Sequence, residues 1–81
     1  GDLLKQAYVY VQGPLFYRNT YQIIAVMIYL RQDAQAYQYF ARLKELEQQP
    51  IADAQDRAAL GRYLQASQKA WEDRDYHRGP V

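Results

Sequence analysis

Apolar residues recur every three or four positions along most of this chain, and the breaks between the periodic runs are few. Gly13-Pro14, Asp33, Pro50 and Gly79-Pro80 are the places where a helix would naturally start or stop. They divide the chain into four segments. In the first, Asp2 can cap a helix through Gln12, with Leu4, Ala7, Tyr8 and Val11 on one side and Gly13 as a left-handed stop. Residues 7–12 also fit a strand, because Tyr8-Val9-Tyr10-Val11 alternates aromatic and β-branched side chains. A lone strand has no evident pairing partner elsewhere, so helix is favoured and the strand stays open.

Pro14 suits the first turn of a second helix running to about Gln32, with Asn19 or Thr20 as an alternative cap. This segment is unusually apolar. Tyr17, Tyr21, Ile24 and Ile28 form one stripe and Ile23, Met27 and Leu30 another, which makes this the central helix. The stripe Arg18, Gln22, Ala25 and Tyr29 is then the side expected to face solvent or a ligand. Asp33 reads as the cap of a third helix ending near Gln49, carrying Ala36, Phe40, Leu43 and Leu46 at helical spacing, and Pro50 disfavours helix at Gln49. Asp53 can cap a fourth helix with Asp56 in its first turn and Ala59, Leu60, Tyr63, Leu64, Ala70 and Trp71 on its apolar side.

Connections this short force successive helices antiparallel. The expected fold is all-α, about four helices in antiparallel hairpins, with Ile24, Ile28, Phe40, Leu43, Leu60 and Leu64 at the centre. Residues 1–76 make a single helical domain in this reading, and 77–81 a flexible tail.

Within that pattern, Tyr29-Leu30-Arg31-Gln32-Asp33 followed by Ala36, Phe40, Leu43, Leu46 and Pro50 resembles a tetratricopeptide repeat. Ala36 and Phe40 match the family's small residue and the aromatic four positions later, and Leu60-Gly61 is similar to the Leu-Gly pair of a following repeat. The resemblance spans about residues 20–64. It departs from the family in a turn without glycine and about two residues short, in Val26 where a small residue is usual, and in a late Pro50. It implies a tetratricopeptide-like hairpin used as a protein-binding scaffold, whose first helix would place Arg18, Tyr21, Gln22, Ala25 and Tyr29 in or beside a ligand groove.

Composition narrows the function. Ten Lys or Arg against nine Asp or Glu leave a charge of +1, which selects neither nucleic acid nor a membrane surface. The longest apolar run, Ile23 to Leu30, is far short of the ~20 residues a transmembrane helix needs. There is no cysteine, so disulfides and thiolate metal sites are excluded, while no compartment is indicated. The start at Gly1-Asp2 without Met is expected of an excised fragment or a processed chain.

Catalytic chemistry finds little to work with. The single histidine, His77, lies near the chain end without evident packing around it. The acidic groups Glu45/Glu47, Asp53/Asp56 and Glu72/Asp73/Asp75 have ordinary work as solvated helix surface, helix-start charge and balance for Arg74 and Arg78. No glycine-rich phosphate loop or nucleophile motif is present. The expectation is a protein that is not an enzyme, with no metal and no cofactor.

Nine tyrosines point elsewhere, because an aromatic ring with a polar tip suits a wet boundary. Tyr8 with Tyr10, and Tyr37 with Tyr39, lie about 200° apart on a helix and cannot share one narrow buried face. Some aromatic area is therefore expected to stay exposed for a partner, either another protein or peptide or a second copy. Lys5, Arg18 and Arg31 among tyrosines leave nucleic-acid stacking as the weaker alternative, since three cations over 27 positions make no stripe.

Overall fold

A computed structural model of the chain describes residues 13–76. Among them the structure is all-helical and holds three helices: α1 (Pro14–Tyr29), α2 (Asp33–Glu47) and α3 (Ala54–Glu72). Three, not four, is the count there. The helix expected through Gln12, with its strand alternative at 7–12, and the tail 77–81 with His77 lie outside the described residues.

α1 packs against both α2 and α3, and these two also touch. The start of α2 meets the end of α3, through Asp33 with Arg74 at 3.7 Å and Tyr37 with Trp71 at 5.5 Å between ring centroids, so this pair is antiparallel. Tyr21 meets Tyr63 at 6.0 Å, while Ile28 and Tyr29 lie level with Lys69 and Ala70, so α1 runs parallel to α3. All six residues expected at the centre are buried, joined by Tyr17, Ala36 and Ala59. Each large aliphatic among them contributes about 1.5–3 kcal/mol by leaving water.

The helix ends differ in detail from the sequence reading. Gly13 is not a left-handed stop; its backbone is extended, as a residue before proline is pushed to be, and it caps α1 with Pro14 in the first turn. Neither Asn19 nor Thr20 restarts the helix. Thr20 is buried and its hydroxyl donates to the Phe16 carbonyl at 2.8 Å, so α1 continues without a break.

α1 stops at Tyr29, three residues before Gln32. The amide of Arg31 donates to the Ile28 carbonyl at 3.0 Å and that of Gln32 to Met27 at 2.8 Å, which is a Schellman closure. Its left-handed position is Arg31, at φ 63°, where glycine is usual. Because this turn uses Leu30 to Gln32, Gln32 flanks the next helix and Asp33 is its first residue, not its cap. The Asp33 carboxylate goes instead to Arg74. Asp53 does cap α3, its Oδ1 accepting from the Gln55 amide at 2.8 Å, and Arg57 ties the preceding loop by donating to the Ile51 carbonyl at 2.9 Å.

Gly61 sits inside α3, where a Cβ would meet nothing within 4 Å. This glycine therefore serves no close helix approach. Gly61→Ala is expected to stabilise the domain by about 1 kcal/mol through helix propensity alone, raising Tm by roughly 4–8 °C. An unchanged or lower Tm by circular dichroism would contradict that account.

The Arg31 turn gives a second expectation. Arg31→Gly removes a left-handed strain of order 1 kcal/mol and raises Tm, whereas Arg31→Val places a β-branched residue there and lowers it by at least as much. Thermal melts of the two variants shifting in the same direction would reject the strained turn.

Candidate functional site

α1 carries a single charged residue, Arg18, and its sides meet very different surroundings. Toward α3 the facing positions are small: Ala25 on α1, and Ala66 and Ala70 one turn apart on α3. Alanines cannot fill the space between two helices whose neighbouring positions are tyrosines. The result is a groove of about 420 Å³ lined by Tyr21, Ala25, Ile28 and Tyr29 from α1 and by Ala66, Lys69 and Ala70 from α3. Tyr21 is half-buried against Tyr63, with their rings tilted by 36°, and Tyr29 stands 53% exposed. The Lys69 ammonium is the charge among the lining residues.

Tyr21, Ala25 and Tyr29, three of the five residues expected in a ligand groove, thus come together, and Ala25 is half-buried, not open to solvent. Gln22 is exposed around the helix from them, and Arg18 is exposed and lines neither of the two depressions on α1. The sequence reading did not place Lys69, Ala66 and Ala70 at this site. The signal was the Ala66/Ala70 pair at i, i+4, which marks a shallow strip on an otherwise bulky helix.

A second depression, of about 350 Å³, lies on the outer side of α1 and is lined by Asn19, Gln22, Ile23, Val26 and Met27. The stripe Ile23, Met27 and Leu30, expected to need cover, receives it in part: Met27 packs against the core, Ile23 is 37% exposed and Leu30 53%, with Val26 beside them 51% exposed. Of the other aromatics, Tyr76 stands 89% exposed, while Trp71 and Tyr39 carry cations over their rings. Arg74 lies over the Trp71 ring at 4.4 Å and also donates to the Trp71 carbonyl at 2.9 Å, and Arg42 lies over Tyr39 at 5.9 Å. Tyr37, half exposed, packs its edge on Phe40.

The cations weighed for nucleic acid do not gather. Arg18 and Arg31 are 13 positions apart along α1 and its turn, roughly 20 Å at helical rise, and Lys5 lies outside the described residues. Among the described residues no three His, Cys, Asp or Glu side chains group to hold a metal ion, and no helix is long and apolar enough to cross a membrane. No family model, curated protein or solved structure matches this chain.

At the other end of the α1–α3 contact, the Tyr17 phenol is pushed above its ordinary value, first by burial and then by the Asp56 carboxylate. A folded-state pKa above the unfolded one means this group supports the fold below about pH 10 and withdraws that support as pH rises further. Tyr17→Phe is therefore expected to flatten the fall of Tm between pH 9 and pH 11 relative to the wild type. Parallel slopes for the two proteins would show that Tyr17 does not titrate at the fold's expense.

Proposed function

We propose that this chain is a non-catalytic protein-binding module, an adaptor, small chaperone or assembly-factor domain, whose α1–α3 groove takes an apolar side chain of a partner protein or peptide. The observation that carries this reading is the pairing of an alanine floor with tyrosine walls. Ala25, Ala66 and Ala70 leave room for an inserted side chain, and Tyr21 and Tyr29 flank it with rigid area that loses little entropy on contact. Lys69 at the same groove favours an acidic neighbour of that side chain. The fitting ligand is a segment with an aliphatic or aromatic anchor next to Asp or Glu.

The resemblance to a tetratricopeptide-like hairpin belongs to the same proposal, since it too assigns the ligand side to the helix before the turn. The α1 contribution to the groove supports it.

A random peptide library displayed on phage and selected against the chain tests the reading. Enriched peptides should share an apolar anchor beside an acidic residue. The double variant Tyr21→Ala, Tyr29→Ala should keep its helicity and bind those peptides at least tenfold more weakly. Filling the groove with Ala66→Trp should act the same way. Unchanged affinity in the helical variants would reject this face.

A further inference from the structure

Most of the described cations are occupied by the fold. Arg42 and Lys44 lie over the rings of Tyr39 and Phe40, Arg57 donates to the Ile51 carbonyl, Arg74 pairs with Asp33, and Arg31 also has a partner. Arg18, Arg62 and Lys69 differ: all are exposed, and among the described residues their side chains form no ion pair, hydrogen bond or ring contact. These three belong to the walls of the α1–α3 groove. Arg62, Ala66 and Lys69 stand at i, i+4 and i+7 on α3, and Arg18 and Ala25 at i and i+7 on α1, so each cation shares a face with an alanine of the groove floor. Because α1 and α3 run parallel with Tyr21 beside Tyr63, Arg18 and Arg62 fall at one end of the groove and Lys69 at the other. Helical rise puts about 10 Å between the Arg62 and Lys69 positions. α1 and its turn carry no acid, and Asp73, one turn past Lys69, forms no ion pair with it. Asp56, near the start of α3, acts on the Tyr17 phenol instead.

We propose that these three cations select the partner of the groove: a polypeptide segment with carboxylates on both sides of its apolar anchor, met by Arg18 and Arg62 at one end and by Lys69 at the other. This rests on the protein-binding reading above and adds to it a second acidic contact, with a spacing of about 10 Å between the two. Unpaired cations gathered at a groove repel one another and add nothing to the fold, whereas an anionic partner is attracted by all of them together. Their field also draws an acidic segment inward before the anchor seats, over roughly the 8 Å Debye length of physiological salt. A carboxylate-bearing polypeptide fits this groove better than nucleic acid does. The alanine floor gives the polar edge of a base no hydrogen-bond partner, while an aliphatic or aromatic side chain needs none, and the Tyr21 ring is already packed on Tyr63.

Two synthetic peptide pools test this, each with a central Phe or Leu anchor among random neutral residues, one carrying Glu on both sides of the anchor and the other Gln at the same positions. Fluorescence anisotropy at about 50 mM salt should show the Glu pool binding roughly tenfold more tightly, and at about 500 mM the difference should fall below about twofold. Arg62→Gln and Lys69→Gln should each weaken the Glu pool by roughly two- to fivefold and leave the Gln pool unchanged. Arg62→Lys should keep most of the affinity, and Arg42→Gln on α2 should change nothing. All of these positions are exposed, so helicity should not change. Equal binding of the two pools, lost in the Tyr21→Ala, Tyr29→Ala variant, would overturn the proposal and leave the groove reading standing; no binding of either pool at millimolar peptide would overturn both. Displacement of the Glu pool by oligothymidylate would assign the cations to nucleic acid, and a molar mass that rises with concentration in the wild type but not in Lys69→Gln would assign the groove to a second copy. Either result also overturns the proposal.

Discussion

The fold depends on α1 serving two neighbours at once. Ile24 and Ile28 have no exposed surface, and α1 touches both other helices, so its inner stripe is the shared wall of the bundle. A shared wall tolerates no charge, because a carboxylate or ammonium there would lose its hydration to two partners instead of one. The polar Thr20 is admitted because its hydroxyl turns back to its own helix, at the Phe16 carbonyl. Ser67 on α3 is the other buried serine or threonine among the described residues, on the same side of its helix as Leu64 and Trp71. In helices of 16, 15 and 19 residues most of the stability comes from packing an apolar face, so this burial, more than propensity, holds them.

The direction of the chain follows from how the ends are tied. Arg74 serves three groups at once, the Asp33 carboxylate, the Trp71 ring and the Trp71 carbonyl, and so pins the end of α3 to the start of α2. Half-exposed, the ion pair alone is worth little; the ring contact and the hydrogen bond beside it give it direction. With α2 and α3 antiparallel and a three-residue reversal before α2, α1 is left parallel to α3. That alignment brings Ala25 level with Ala66 and Ala70, and the groove is the consequence of three short side chains meeting at one height.

Helical periodicity was enough to find the core from the sequence, since Ile24, Ile28, Phe40, Leu43, Leu60 and Leu64 recur at one face of each helix and are all buried. It was not enough to rank two apolar stripes on one helix. Periodicity says that a side chain is apolar; how many neighbours arrive to cover it is decided by the number of helices and their directions. Hence, of the second stripe, Met27 packs on the core while Ile23 and Leu30 stand partly outside. Asp53 caps α3 as its chemistry suggests, but the cap expected at Asp33 failed for a related reason. Asp33 has the right chemistry for a cap, but the backbone of Leu30 to Gln32 had already closed α1 through Arg31, a residue with no turn signature. The groove was half readable: Tyr21, Ala25 and Tyr29 follow from one helix, whereas Ala66, Lys69 and Ala70 require knowing that α3 runs alongside.

The outer stripe is also informative as a choice of residue types. Ile and Val are poorer helix formers than Gln, Lys or Ala, by a few tenths of a kcal/mol each, because the preceding turn restricts their χ1. At positions about half exposed they return only part of the burial energy that would offset this. A helix selected only to fold against α2 and α3 would gain by carrying Lys or Gln at Val26 and would be more soluble for it. The inner stripe of α1 is accounted for by the bundle, and the groove side by its alanines. The outer positions Ile23, Val26 and Leu30 are not covered by α2 or α3.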